Sequence, residues 1–333
     1  MIGNELLLNI ANMAVSLLVL LISSHVAIRS VVKISEITGL GKSRIGFTLV
    51  ATLTSLPELA VAFFAAMSGE AAVSIGNVLG SNVANVCLII GLGLVLYSFR
   101  TRSKKLPPVR FKPEELDMLY LGIFTASVIP ILLISFLPAS KIVGLILILI
   151  YAYRTFQIIL KRELPLEENA ESGIAKNRGR SRLMLHTVLG LMGIIGVVVS
   201  ADILVNSTAE IALIIGVPAS IISATIIAVG TSFPELSLDI QAMLNGHVDL
   251  AFGDVIGSCF TNITLILGVT LLFSPVRFNI KVFSDLVAFS TLANILLWYL
   301  MHKGNLGSRE GLYLLTIYMV FLLSVMEILV FPE

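Results

Sequence analysis

The chain has 333 residues, of which 57% are hydrophobic and only 13% charged, and its mean hydropathy is +0.99. A soluble domain carries about 25% charged residues, so most of this surface is predicted to face lipid, as in a polytopic membrane protein. The net charge of +1 indicates nothing about acidic partners, and no basic segment has the aromatic interleaving of a nucleic-acid site. Cys87 and Cys259 lie in apolar segments, and we expect them to be core or lipid-facing side chains without a disulfide.

Apolar segments long enough to cross a bilayer recur along the whole chain. The first has no Lys or Arg before it, so it is interpreted as a span rather than a cleaved signal. The predicted fold class is all-α, with ten transmembrane helices. Their approximate ranges are 5–28, 43–67, 72–98, 115–137, 141–160, 183–205, 218–244, 248–273, 280–301 and 310–331.

One phrase occurs twice, as ATLTSLPE at residues 51–58 and as AVGTSFPE at residues 228–235. A shift of 177 residues also superimposes a later pattern of glycine, serine and asparagine, GNVLGSNVAN on GDVIGSCFTN. We therefore predict two five-helix repeats, 1–160 and 183–333, with the repeated motifs in 43–98 and 218–273. Residues 161–182 are a polar segment and are predicted to link the repeats.

An odd number of helices per repeat makes the second repeat enter the membrane from the opposite side, giving an inverted-topology repeat. The distribution of positive charge agrees, because one set of alternate loops holds 19 of the 22 Lys and Arg residues. The positive-inside rule then predicts a cell-membrane protein with both termini outside and the 161–182 linker in the cytoplasm.

A carboxylate at the centre of a membrane span indicates a functional site, because its burial costs roughly 2.5–3.5 kcal/mol even on lenient scales. Glu58 ends the first phrase, and Thr54 and Ser55 lie within one helical turn of it. Pro57 is predicted to bend the helix and expose backbone carbonyls. Thr231, Ser232, Pro234 and Glu235 repeat this arrangement.

The next helix of each repeat adds polar side chains at intervals of four residues. They are Asn77, Ser81 and Asn85 in one repeat, and Asp254, Ser258 and Asn262 in the other. Gly76 and Gly80, matched by Gly253 and Gly257, are predicted to permit close helix approach. If the halves face each other, Glu58 and Glu235 converge, and oxygen donors of this kind suit Ca²⁺, Na⁺ or Mg²⁺ rather than zinc or copper. Taken singly, each Thr, Ser or Asn is equally consistent with an ordinary interhelical hydrogen bond.

The two phrases, together with the G-x-x-G-S-x-x-x-N pattern of residues 76–85, are similar to the motifs of the cation/calcium exchanger superfamily. The sequence most closely resembles the sodium/calcium branch of that superfamily. The resemblance implies that Glu58 and Glu235 ligate Ca²⁺ and that the transported ions are Ca²⁺ and Na⁺. It also implies that further groups complete the ion sites: the hydroxyls of Thr54, Ser55, Ser81, Thr231, Ser232 and Ser258, the carbonyls of Ala51 and Ala228, and the amides of Asn85 and Asn262.

The chain departs from the family pattern at several positions. Leu53 replaces a glycine, whereas Gly230 keeps it in the second repeat. Asp254 replaces an asparagine and adds negative charge to the site. Asp239 lies four residues after Glu235. The sequence is consistent with a solvated or paired group toward the cytoplasmic end of the seventh helix, or with a vestibule carboxylate or a proton-titrating partner. His25, near a membrane boundary, is interpreted as structural.

The predicted function is exchange of Ca²⁺ for Na⁺ by alternating access, with the first and sixth helices sliding past the core. The alternative is a H⁺/Ca²⁺ exchanger that uses the same carboxylates. The potassium-dependent branch carries Asp at the position of Asn262, which weakens a K⁺ requirement. An intramembrane aspartyl protease is suggested by FGD at residues 252–254, but Ala251 replaces a needed glycine, so no enzyme is predicted. The expected partners are inorganic cations and the lipid bilayer, with no organic cofactor and no obligate protein partner.

Overall fold

The computed structural model describes residues 2–38, 54–101, 113–136, 140–161, 176–274, 280–303 and 306–330. Within these ranges every regular element is a helix, as predicted. Ala51, Leu53 and most of the predicted linker lie outside the described residues.

The helices are labelled in chain order. Three of them contain internal π-helical turns, and α7 is broken into two parts. The bounds are α1 Ile2–Thr38, α2 Leu56–Met67, α3 Ala71–Thr101, α4 Pro113–Phe136, α5 Ser140–Lys161, α6 Lys176–Ile215, α7a Ala219–Thr231, α7b Phe233–Leu244, α8 Val248–Phe273, α9 Ile280–Lys303 and α10 Ser308–Val330.

Six helices in the described part of the chain are long and apolar enough to cross a membrane, and a seventh span results if α7a and α7b are counted together. The six are α1, α3, α6, α8, α9 and α10, by length and composition. The described part of α2 and residues 120–132 of α4 are shorter apolar helices. The structure is thus an all-helical protein with six to seven apolar spans.

Some boundaries differ from the predicted ones. The sixth helix begins at Lys176 rather than near residue 183, inside the segment predicted as linker. The Lys and Arg side chains at its start are good helix formers, so their polarity ends the apolar segment without ending the helix. Similarly, α1 continues to Thr38, well beyond the predicted end near residue 28.

The centre of the molecule is formed by α3 and α8, whose apolar windows are 83% and 72% buried. These helices supply much of the main hydrophobic core, which also includes side chains of α9 and α10. Cys87 and Cys259 belong to this core and are free thiols, as predicted. The polar motifs on α3 and α8 are therefore held away from the molecular surface.

A second core lies between α1 and α6, which pack together along much of their length. Gly193 makes this possible, since a Cβ there would lie 2.7 Å from the backbone nitrogen of Ala27. Small residues of this kind let membrane helices approach closely. The α1–α6 pair contacts the rest of the protein mainly through α2, α3 and α7a.

Helix contacts in the two halves correspond. The α2–α3 contact matches α7b–α8, the contact of α5 with α8 matches that of α10 with α3, and the contact of α4 with α8 matches that of α9 with α3. In addition, the thiol of Cys259 lies 4.0 Å from the backbone oxygen of Asn82, a residue exactly one repeat offset of 177 away. Two positions that are equivalent in the repeated sequence pattern are therefore in contact.

Candidate cation-binding site

The break in α7 places one buried carboxylate at the start of a helix. Ser232 has φ −81° and ψ 10°, and the axes of α7a and α7b differ by 50°. Pro234 follows in the first turn of α7b, where its missing N–H is tolerated, and Glu235 lies in the same turn. The predicted bend is therefore confirmed in α7.

The corresponding segment of the first half has the same local form. Ser55 has φ −85° and ψ 16°, Pro57 lies in the first turn of α2, and Glu58 follows it. Each carboxylate is thus near a helix N-terminus, where the helix dipole favours negative charge.

Glu58 and Glu235 are each only 2% exposed. The Ser232 hydroxyl donates to Oε1 of Glu58 over 3.5 Å, which joins the two repeated phrases across the structure. The hydroxyl of Thr231 also faces the Glu58 carboxylate. Glu235 interacts electrostatically with Glu58 and with Asp254. The two halves therefore bring their acidic groups into one buried region.

Contacts between α3 and α7a form one wall of this region. The Thr231 hydroxyl donates to Oδ1 of Asn77 over 3.1 Å, and the Ser81 hydroxyl lies 3.4 Å from the Ala228 carbonyl oxygen. A Cβ at Gly76 would lie 2.9 Å from the Ser220 carbonyl carbon, so the predicted close approach is confirmed for α3. Gly253 and Gly257 of α8 approach no atom of the described residues so closely.

Asparagines of α3 and α8 join the halves at the centre. Nδ2 of Asn262 donates to Oδ1 of Asn82 over 3.0 Å, and both side chains are buried. Asn85 and Asn262 each lie in a π-helical segment, Ala84–Ile90 and Asn262–Ile266 respectively. Such π-helical turns interrupt an α-helix and are frequent at functional sites.

Several buried oxygen atoms of this region have no hydrogen-bond partner among the described residues. Leaving a buried polar atom without a partner costs about 1–3 kcal/mol, so a cluster of them calls for a ligand. They are Oε2 of Glu58 and Glu235, Oδ2 of Asp239 and Asp254, and Oδ1 of Asn85 and Asn262. All six are hard oxygen donors, which fit Ca²⁺ or Na⁺ as a transported substrate.

Not every predicted residue is tied into this network. Thr54, Ser55 and Ser258 are buried, but the hydroxyls of Ser55 and Ser258 make no described hydrogen bond to another predicted residue. The backbone carbonyl of Ser258 accepts a hydrogen bond from the N–H of Asn262 within α8. The described residues also contain no group of three or more His, Cys, Asp or Glu side chains arranged around one metal position. A cation bound here depends on amide, hydroxyl and carbonyl oxygens as well as on carboxylates.

Sequence reasoning did not single out Asn82 or the π-helical turns. Asn82 immediately follows Ser81 in the repeated pattern, but the second half has Cys259 at the equivalent position, so the repeat comparison concealed it. The suggestion that Asp239 is solvated is wrong, because its side chain is only 2% exposed.

Apolar spans with buried carboxylates and oxygen donors at broken helices are the features expected of a membrane ion transporter. The sequence matches the family described as sodium/calcium exchanger protein over residues 8–159 and 185–326. The chain therefore belongs to the sodium/calcium exchanger family, whose members are multi-pass membrane transporters of inorganic cations.

Individual similar proteins agree with this assignment. The sodium/calcium exchanger MaX1 of Methanosarcina acetivorans is 28% identical, over 94% of this chain and 97% of that protein. Among solved structures, the H⁺/Ca²⁺ exchanger CAX is similar with a TM-score of 0.73 and 18% identity, covering 96% of this chain and 84% of that one. The sodium-calcium exchanger NCX_Mj has a TM-score of 0.58 and 22% identity, covering 96% and 99%. At these identities the structural likeness shows the fold alone.

Proposed function

We propose that the protein exchanges Ca²⁺ for Na⁺ across the membrane at a central site around Glu58 and Glu235. The observation that carries the proposal is the set of unpartnered oxygens on these two buried residues and on the asparagines beside them. Two carboxylates neutralise one divalent cation, and amide and hydroxyl oxygens supply the remaining ligands. Family membership and the similarity to MaX1 support the same pair of ions.

Exchange follows from competition for these groups. Ca²⁺ and Na⁺ both require ionised carboxylates, so one kind of ion has to leave before the other is bound fully. Without a cation the buried charges are uncompensated, which disfavours movement of the helices around them. Transport is thereby restricted to the loaded states.

The moving part is proposed to be the α1–α6 pair. These helices pack in a hydrophobic cluster separate from the main core, which α2, α3 and α7a also join, and they contribute none of the buried acidic groups of the site. Leu17 of α1 packs against Gly230, immediately before the break in α7. Sliding of α1 and α6 past this point would open the site to one side of the membrane and then to the other.

We also propose the ten-helix inverted repeat, with residues 1–160 and 183–333 as its halves. The matching helix contacts and the Cys259–Asn82 contact support the relation between the halves. The distribution of Lys and Arg supports termini outside and a cytoplasmic linker at 161–182.

A H⁺/Ca²⁺ exchanger is the second candidate function. It is favoured by two further acidic groups near Glu235, the buried Asp239 and the half-buried Asp254, since each can carry a proton. In that case a pH gradient without Na⁺ would drive Ca²⁺ uptake.

The test is uptake of radiolabelled Ca²⁺ into proteoliposomes, driven either by a Na⁺ gradient at fixed pH or by a pH gradient without Na⁺. We expect the Na⁺ gradient to drive uptake. Glu58→Gln should reduce Na⁺-driven uptake roughly a hundredfold or more. With one carboxylate in place of two, the charge of a bound Ca²⁺ is not fully compensated in the buried site, which is costly. Glu210→Gln is the matched control, since Glu210 is exposed on α6 and outside the site.

Glu235→Gln provides a second, independent variant of the same kind. Uptake that survives both substitutions would refute the central site. Uptake driven only by the pH gradient would instead establish the H⁺-coupled alternative.

A further inference from the structure

A second pair of acidic side chains lies beside the central site. Asp239 of α7b is 2% exposed, and Asp254 of α8 is half-buried. Oδ2 of each is buried without a hydrogen-bond partner among the described residues. The two carboxylates interact electrostatically with each other, and each also interacts with Glu235.

No described lysine or arginine compensates this charge. The charged groups that interact with Asp239 are the carboxylates of Asp254 and Glu235, and no ion pair among the described residues joins a lysine or arginine to Asp239 or Asp254. Two neighbouring carboxylates, each with one buried and unpartnered oxygen, are unfavourable in a membrane protein when no cation or proton is bound. A bound cation, or a proton, would compensate the pair, and its two carboxylates match the charge of a divalent ion.

The depth of the pair differs from that of Glu235. Asp239 follows Glu235 by one helical turn, about 6 Å along α7b, toward the turn that joins α7b to α8. On α8, Asp254 lies about 9 Å from the helix start at Val248, and Asp239 lies about 7.5 Å from the end of α7b at Leu244, so the two carboxylates are at similar depth. Glu235, Asp239 and Asp254 do not converge on one metal position. Asp239 and Asp254 therefore lie at one position along the path of the ion. Glu235 lies at a second position, further from the turn that joins α7b to α8.

The first half has no counterpart. At the repeat offset of 177 residues, Ala62 is equivalent to Asp239 and Asn77 is equivalent to Asp254. Ala62 is buried in the core, and Asn77 accepts a hydrogen bond from Thr231. The additional charge is therefore confined to the α7b–α8 side of the central site.

We propose that Asp239 and Asp254 form a second binding position for Ca²⁺, through which the ion passes between the central site and the α7b–α8 side of the membrane. Two carboxylates match the charge of one divalent cation, and carboxylate oxygens are preferred Ca²⁺ ligands. The position rests on the proposed function, since Ca²⁺ is the ion that the central site is proposed to transport. It makes the two ends of the transport path unequal.

The first experiment counts Ca²⁺ bound to the full-length protein in detergent, by equilibrium dialysis with radiolabelled Ca²⁺. We expect two ions per chain in the wild type and one in the double variant Asp239→Asn with Asp254→Asn. Asp249→Asn is the matched control, because it removes the same charge from an exposed position of α8 and should leave two ions bound. Glu58→Gln should remove the other ion and keep the one at Asp239 and Asp254.

The second experiment measures the KM for Ca²⁺ from each side separately, in right-side-out and inverted vesicles. A cluster of like charge raises the local concentration of its counter-ion, so loss of the pair should raise KM roughly tenfold from the α7b–α8 side only. The variant Asp239→Ala with Asp254→Asn installs the residues of the first half and should behave in the same way.

Unchanged ion number together with unchanged KM on both sides would overturn the proposal. A double variant that loses only the pH dependence of exchange would also overturn it, because the pair would then carry a proton. These outcomes are separate from failure of the central site, which is measured by the effect of Glu58→Gln on Na⁺-driven uptake.

Discussion

Substitution of Asn82 tests whether the centre of the site is held by a residue that is not itself proposed as a ligand. Oδ1 of Asn82 accepts the hydrogen bond from Nδ2 of Asn262 over 3.0 Å, and this bond directs the other end of the Asn262 amide, the unpartnered Oδ1, away from Asn82. Asn82→Leu preserves the shape of the side chain and removes the acceptor. The amide of Asn262 then loses its fixed orientation.

The magnitude follows from burial. Asn82 is fully buried and Asn262 is 1% exposed, so water does not replace the lost bond. A buried donor left without a partner costs about 1–3 kcal/mol. If Asn262 rotates to recover a partner, the cation loses an oxygen ligand at the same cost, and the KM for Ca²⁺ rises roughly 5- to 150-fold.

The assay is Na⁺-driven uptake of radiolabelled Ca²⁺ over a range of Ca²⁺ concentrations, with size-exclusion chromatography to verify folding. Asn82→Asp retains the acceptor oxygen and should keep KM closer to the wild-type value than Asn82→Leu does. Asn245→Ala, at an exposed asparagine after α7b, is the control for general effects of losing an amide. A folded Asn82→Leu protein with an unchanged KM would refute the proposed orientation of Asn262.

Two further predictions concern stability. Gly80→Ala places a Cβ 2.7 Å from the carbonyl carbon of Ala224, so α3 and α7a are forced apart. We expect the free energy of unfolding to fall by about 1–3 kcal/mol, measured as a lower Tm in detergent. An unchanged Tm would contradict the close packing. Lys303→Ala removes the partner of Glu310, whose carboxylate lies 2.5 Å from Nζ of Lys303. Because Glu310 is largely buried, leaving its charge unpaired should lower the Tm more than Glu310→Gln does. The reverse order would contradict this cost of an unpaired Glu310 carboxylate.

Much of the architecture is determined by local sequence. Hydropathy predicts helices that face lipid, and a proline preceded by hydroxyl residues predicts the bend at Ser232, because neither property depends on distant contacts. The burial of Glu58 and Glu235 is also predictable, since each lies in a segment too apolar to be exposed to water. The repeat offset of 177 identifies which positions are equivalent in the two halves.

The partners of these side chains were decided only by tertiary structure. Ser232 donates to Glu58, and Asn262 donates to Asn82, across sequence separations of 174 and 180 residues. Local periodicity indicates which face of a helix is polar but not which group of another helix meets it. The burial of Asp239 was likewise decided by the packing of α7b on α8, because its position near a helix end is equally compatible with water. The repeat in the sequence therefore predicts which positions of the two halves are equivalent. The side chains at those positions differ, Ala62 and Asn77 against Asp239 and Asp254, so the two halves carry unequal charge near the site.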